Sequence, residues 1–122
     1  MSEEKEAMLT KSGNHRVEVR ENARGGKGQL ALHHLFENEQ LAPNSRLLCK
    51  IVVQPGNSMG MHTHQGESEF FYVLSGSAKF TENGEILLLN PGDTLYTPPG
   101  GNHSFEVNGD ETLELLAVVI NK

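Results

Sequence analysis

A chain of 122 residues, 36% of them apolar, has the size of one domain and can bury a core without disulfide or metal staples. Its formal charge of −6 argues against a nucleic-acid partner, which calls for a basic face. Cys49 is the only cysteine, so an internal disulfide is excluded and a reducing, cytoplasmic setting is expected. The opening Met1-Ser2-Glu3-Glu4-Lys5-Glu6 lacks the apolar run of a signal peptide. No apolar stretch reaches membrane-spanning length, so no membrane partner is expected.

The 13 glycines and 5 prolines punctuate the chain into short strands. Residues 1–14 are polar and unpatterned. Val17-Glu18-Val19 alternates as a short strand, and the glycine-rich stretch 22–28 is a loop. Gln29 to Phe36 reads as a strand and the segment around Pro43 as a polar turn. A steadier pattern follows. Arg46 to Gln54 is a strand closed by Pro55-Gly56-Asn57, and Met61 to His64 is a short strand before the Gln65-Gly66 turn. Glu69 to Leu74 is a strand ended by Ser75-Gly76. Ser77 to Thr81 and Glu85 to Leu89 flank Asn83-Gly84, a strong hairpin signal. Thr94 to Thr97, His103 to Val107 and Thr112 to Ile120 complete the set, with turns at Asn90-Pro91-Gly92-Asp93, Pro98-Pro99-Gly100-Gly101 and Asn108-Gly109-Asp110. The second half shows no sustained helical period. Many short, evenly spaced strands define an all-β sandwich or barrel.

Four residues stand out. Residues two apart on a strand share a face, so His62 and His64 point the same way. Glu69 opens the next strand and can bring a carboxylate to the same ion, with Phe71 and Val73 on its face. His103 follows the Pro-Gly turn of a distant strand. Mixed imidazole and carboxylate ligation suits Mn, Fe, Co, Ni, Cu or Zn. Each residue alone has an ordinary reading: a strand-face histidine, a strand-end carboxylate, a turn histidine. His33 and His34 are adjacent, so on a strand they face opposite ways and are not expected as ligands; Glu67 is the rival to Glu69 but reads as a turn residue. Cys49 lies in an apolar run and reads as a buried strand thiol.

The spacing of these residues resembles the two motifs of the cupin superfamily. Gly56, His62, His64, Glu69 and Gly76 match the first motif, Gly-x5-His-x-His-x3–4-Glu-x6-Gly. Gly92, Pro98, Gly100 and His103 match the second, Gly-x5-Pro-x-Gly-x2-His-x3-Asn; its closing Asn is replaced by Val107, with Asn108 beside it. The resemblance covers roughly residues 46–119. It implies a double-stranded β-helix (jelly-roll) barrel over residues 29–122, with motifs at 56–76 and 92–108, and residues 1–28 as an N-terminal arm and edge strand. It also implies one divalent transition metal (Mn, Fe, Ni, Cu or Zn) held by His62, His64, Glu69 and His103.

One fold hosts many chemistries, so the resemblance says less about function. Similar cupins include dioxygenases, oxalate-cleaving enzymes, sugar isomerases, cyclases and non-catalytic binders. Three His and one Glu leave coordination positions open for a small-molecule ligand. Glu69 is the candidate catalytic residue, able to act as a base as well as a ligand. Dioxygenase-type chemistry leads among the enzymatic expectations, and a binding or sensing role stands beside it. Oxalate-cleaving cupins carry an arginine three positions before the first motif histidine. Met59 occupies that place here, so neither an anion-binding arginine nor a basic pocket is expected, and oxalate-cleaving or sugar-isomerase chemistry ranks below the other readings. Gln54, Met59, Met61 and Tyr96 are expected near the mouth, with Tyr96 as a further acid or base. Small cupins of this kind commonly pair, so a homodimer is expected, with Leu30, Leu32, Phe36, Leu48 and Val52 offering apolar surface.

Overall fold

The computed structural model describes residues 6–121, which form ten β-strands in two antiparallel sheets, with two short 3-10 turns. The strands are β1 (Arg16–Glu21), β2 (Gln29–Phe36), β3 (Ser45–Val53), β4 (Ser58–Thr63), β5 (Glu67–Ser75), β6 (Ala78–Glu82), β7 (Glu85–Leu89), β8 (Thr94–Thr97), β9 (Asn102–Val107) and β10 (Leu113–Asn121). One sheet has the order β1-β2-β3-β10-β5-β8 and the other β4-β9-β6-β7. Consecutive strands repeatedly lie in opposite sheets, so the chain winds around a shared interior as the expected jelly-roll.

Alternation builds that interior. Leu32, Ile51, Leu115 and Val73 face one another across β2, β3, β10 and β5 in a single register row, and all four are buried. Cys49, paired with Ala117, is buried in the same layer, and burial pushes its thiol up to about 12, which keeps it protonated and inert. The opposite layer contributes Met59, Ala78, Phe80, Leu89 and Phe105. Phe71, Phe80 and Phe105 meet at ring-centroid distances of 4.9–5.9 Å and form an aromatic floor below one end of the barrel.

Parity fails at four of the expected mouth and surface positions. Leu30 and Leu32 are core residues with 0% and 1% exposure, so they offer no outer surface. Tyr96 is paired with Phe70 on the outside of the large sheet, their rings 4.7 Å apart, and takes no part in the interior. In β4, Met59 is buried and Met61 points outward. The β4–β9 register breaks between Met59 and His62, so a bulge resets the alternation and lets both residues face inward. Gly60 sits in that bulge because the 3-10 turn Ala23–Gly25 packs on it: a Cβ there would overlap the carbonyl of Arg24.

Candidate metal centre

The two ladders place the four singled-out residues at one level of the barrel. His62 faces His103 across β4 and β9, and Glu69 faces Thr97 across β5 and β8. His64 follows β4, and its backbone is tied to the Pro-Gly turn: its N–H donates to Gly101 O (3.0 Å) and its carbonyl accepts from Gly100 N–H (2.6 Å). The turn that aims His103 therefore also holds His64. Gly100 adopts φ 90°, a left-handed geometry that glycine takes without strain. One donor atom from each of His62, His64, Glu69 and His103 lies within 4.8 Å of every other.

The outer nitrogen of each ring is held by oxygen. His62 Nδ1 lies 3.0 Å from Gly60 O, and His64 Nδ1 lies 3.2 Å from Glu67 Oε1. His103 Nδ1 lies 3.1 Å from Glu82 Oε1, with Thr97 Oγ1 at 3.0 Å. Carbonyl and carboxylate oxygens accept, so each neutral ring carries its proton on Nδ1 and turns the lone pair of Nε2 inward. Yet His64 Nε2 and His103 Nε2 are 3.1 Å apart, and Glu69 Oε1 lies 2.8 and 3.3 Å from them. Inward lone pairs and a carboxylate oxygen at such distances repel unless positive charge lies between them. Bonds of about 2.1 Å to one ion set neighbouring donors about 3.0–3.4 Å apart. The side chains therefore fit a divalent metal.

Burial pushes the His62 imidazole below its usual range, favouring the neutral form that can ligate. Hydrogen bonding to Glu69 acts the other way on His64 and raises it, and an ion ligated there would take the place of that proton. Burial alone would raise Glu69, but hydrogen bonds from His103 and His64 outweigh it and keep the carboxyl ionised. Glu82 Oε2 is buried behind His103 without a partner among the described residues.

Several contacts here were not foreseen from the sequence. Glu67, weighed there as the rival to Glu69 and read as a turn residue, belongs to β5 and holds His64 Nδ1. Glu82 and Thr97 do the same for His103. His34 is buried and paired with Glu18 at 2.8 Å, away from the centre. The expectation of no basic pocket is overturned. A cavity of about 80 Å³ opens above His62, His64 and Glu69, and Arg20, Arg24 and Arg46 line it. They come from β1, the following 3-10 turn and β3, all outside the motif position that Met59 fills. Met59 itself lies lower in the same wall.

A two-sheet jelly-roll with three imidazoles and one carboxylate at its mouth defines a metal-binding barrel class. The Cupin domain family model matches residues 49–119, and the chain belongs to that family. It is 38% identical over 113 residues to the oxalate-binding protein of Thermotoga maritima, covering 93% of both chains. A crystal structure described as a predicted oxalate decarboxylase from the same organism shares 37% identity and a TM-score of 0.89, covering 94% of this chain and 100% of that one. KdgF from Halomonas sp. shares the fold, with a TM-score of 0.75 at 15% identity over 96% of each chain.

Proposed function

We propose that His62, His64, Glu69 and His103 hold one divalent transition metal (Mn, Fe, Ni, Cu or Zn), and that the chain binds a small chelating organic acid there. The observation that carries this reading is the set of three Nε2 atoms turned inward by oxygens on Nδ1, beside the ionised Glu69. The relative named for oxalate binding supports an acid as the ligand. So does the size of the cavity: about 80 Å³ is far below the several hundred Å³ of sites for drug-sized ligands. A bound divalent ion supplies Lewis-acid attraction for the oxygens of such a ligand. The chain's own part is to aim the three imidazoles inward, hold Glu69 ionised and shield the ligand's inner end with Phe71 and Phe105.

Oxidative turnover of the bound acid, of the dioxygenase type, is the second reading. It is favoured by Glu69, a buried ionised carboxylate able to take a proton from the ligand. Titration of metal-loaded protein with oxalate tests the binding reading: saturable one-to-one binding is expected, and none would overturn it. Oxygen uptake by Fe(II)-loaded protein with small diketones, catechols and organic acids tests the second; Glu69→Gln should abolish any uptake while protein still folds.

We also read the chain as a homodimer, with residues 29–122 as the barrel unit and residues 1–28 as its arm and edge strand. Val17, Val19, Phe70, Tyr72 and Tyr96 lie exposed on the outer face of the large sheet, a surface that pairing would cover. The residues described contain no helix long and apolar enough to cross a membrane. We place the chain in the cytoplasm, where Cys49 stays reduced.

A further inference from the structure

We infer that Arg46, with Arg24 and Arg20, forms a carboxylate subsite that makes the centre selective for a small dianion. The inference rests on the reading of the four-residue cluster as a metal centre and adds which end of the ligand this chain reads, and with what.

The chain has four arginines and a formal charge of −6, yet three of the four line this one small cavity. The fourth, Arg16, is turned to Glu37 at 2.9 Å. Two of the three are held in place. Arg46 gives Nε and Nη2 to Glu67, at 2.6 and 2.9 Å, and Arg20 gives Nε and Nη2 to Glu18, at 2.8 and 3.4 Å. A guanidinium has five donors, so pairing through this side-on edge leaves the end-on edge, Nη1 with Nη2, for a second carboxylate. Glu67 thus does two jobs: it holds Arg46 at the mouth and His64 in the cluster.

Charge defines the ligand class. Three guanidiniums less the Glu18 and Glu67 carboxylates leave one positive charge around the mouth. A divalent ion held by Glu69 leaves one more beneath. The exposed guanidiniums and the buried cluster line the same cavity, an arrangement that suits a ligand with two carboxylates. A cavity of about 80 Å³ suits a small dicarboxylate better than a drug-sized acid.

The test is calorimetric titration of Mn-loaded wild type, R46Q and R24Q with oxalate and with its neutral analogue oxamide, metal content being measured for each sample. Each substitution should weaken oxalate binding by about tenfold or more, the loss of a charge-assisted contact, with oxamide affinity and metal content unchanged. Oxalate affinities within about twofold of wild type in both variants would overturn the subsite while leaving the metal centre standing. Wild type that takes up metal but not oxalate would also overturn it. Wild type that takes up no metal would instead sink the underlying reading. If R46Q loses metal through Glu67 and His64, R24Q decides, since it leaves that contact in place.

Discussion

His103 is fully buried, and its Nδ1 is gripped by Glu82 and Thr97. Partners of this kind set the tautomer and raise the basicity of a ligating ring. Glu82→Gln should therefore lower metal affinity by about 10–100-fold, as outer contacts of metal ligands typically do, with little change in the thermal midpoint of metal-free protein. Equal metal affinity in the two proteins would show that Glu82 is a bystander. Glu18 makes a separate prediction. Hydrogen bonds from Arg20 and His34 hold its carboxyl down at about 2, against an ordinary 4.5. A folded-state value below the unfolded one stabilises above the unfolded value and is lost as pH falls from about 4.5 to about 2. The thermal-midpoint gap between wild type and Glu18→Gln should close across that window, and a gap that persists at pH 2 would contradict the pairing. At this scale the four cluster residues were legible because strand parity and turn spacing act locally. Glu82 was not: it reaches His103 only through the β6–β9 register, which no local pattern specifies. The arginines were not either, because they enter from β1, a 3-10 turn and β3, far in sequence from the motifs.

Among the elements, the Asn83-Gly84 hairpin was readable because its chemistry is specific. Both residues take positive φ, 48° and 84°, as a tight two-residue connection of this twist demands. The strand spans were readable to within a few residues because inner and outer faces alternate through β10, from Cys49 on in β3 and from Glu69 on in β5. The bulge in β4 was not, since Gly60 reads as ordinary punctuation until the 3-10 turn is seen lying on it. That contact joins Arg24 to the strand carrying His62. Gly60→Ala should cost about 1–3 kcal/mol by forcing the two backbones apart. Chemical denaturation measures this directly. The same variant should weaken acid and metal binding together, because the displaced turn carries Arg24 and the Gly60 carbonyl holds His62 Nδ1.

At the level of the whole molecule, the large sheet is apolar on both faces. Its inner face is the core, while its outer face exposes Val17, Val19, Phe70 and Tyr72, with 41–55% of each accessible. Val17 and Val19 lie at the edge carried by the N-terminal strand β1, and Phe70 and Tyr72 lie near the opposite edge. Covering this face in a two-fold pair should make the protein sediment at twice its 13.4 kDa chain mass at micromolar concentration. Phe70→Lys with Val19→Lys should return it to monomer while preserving metal uptake, and a wild type that sediments only as monomer would refute the pairing. Composition and motif spacing made the barrel legible. They did not expose this face, because outward apolar residues on a sheet read the same as core residues until register assigns the sides.

One ion held by four side chains from both sheets, with acid bound above it, is open to direct observation. Crystals of manganese-loaded protein, measured with X-rays on either side of the metal absorption edge, test it most directly. A single anomalous peak is expected, bounded by Nε2 of His62, His64 and His103 and a Glu69 oxygen, each at about 2.0–2.3 Å. An anomalous map at saturating manganese with no peak among those four residues, or with the peak elsewhere, would contradict it.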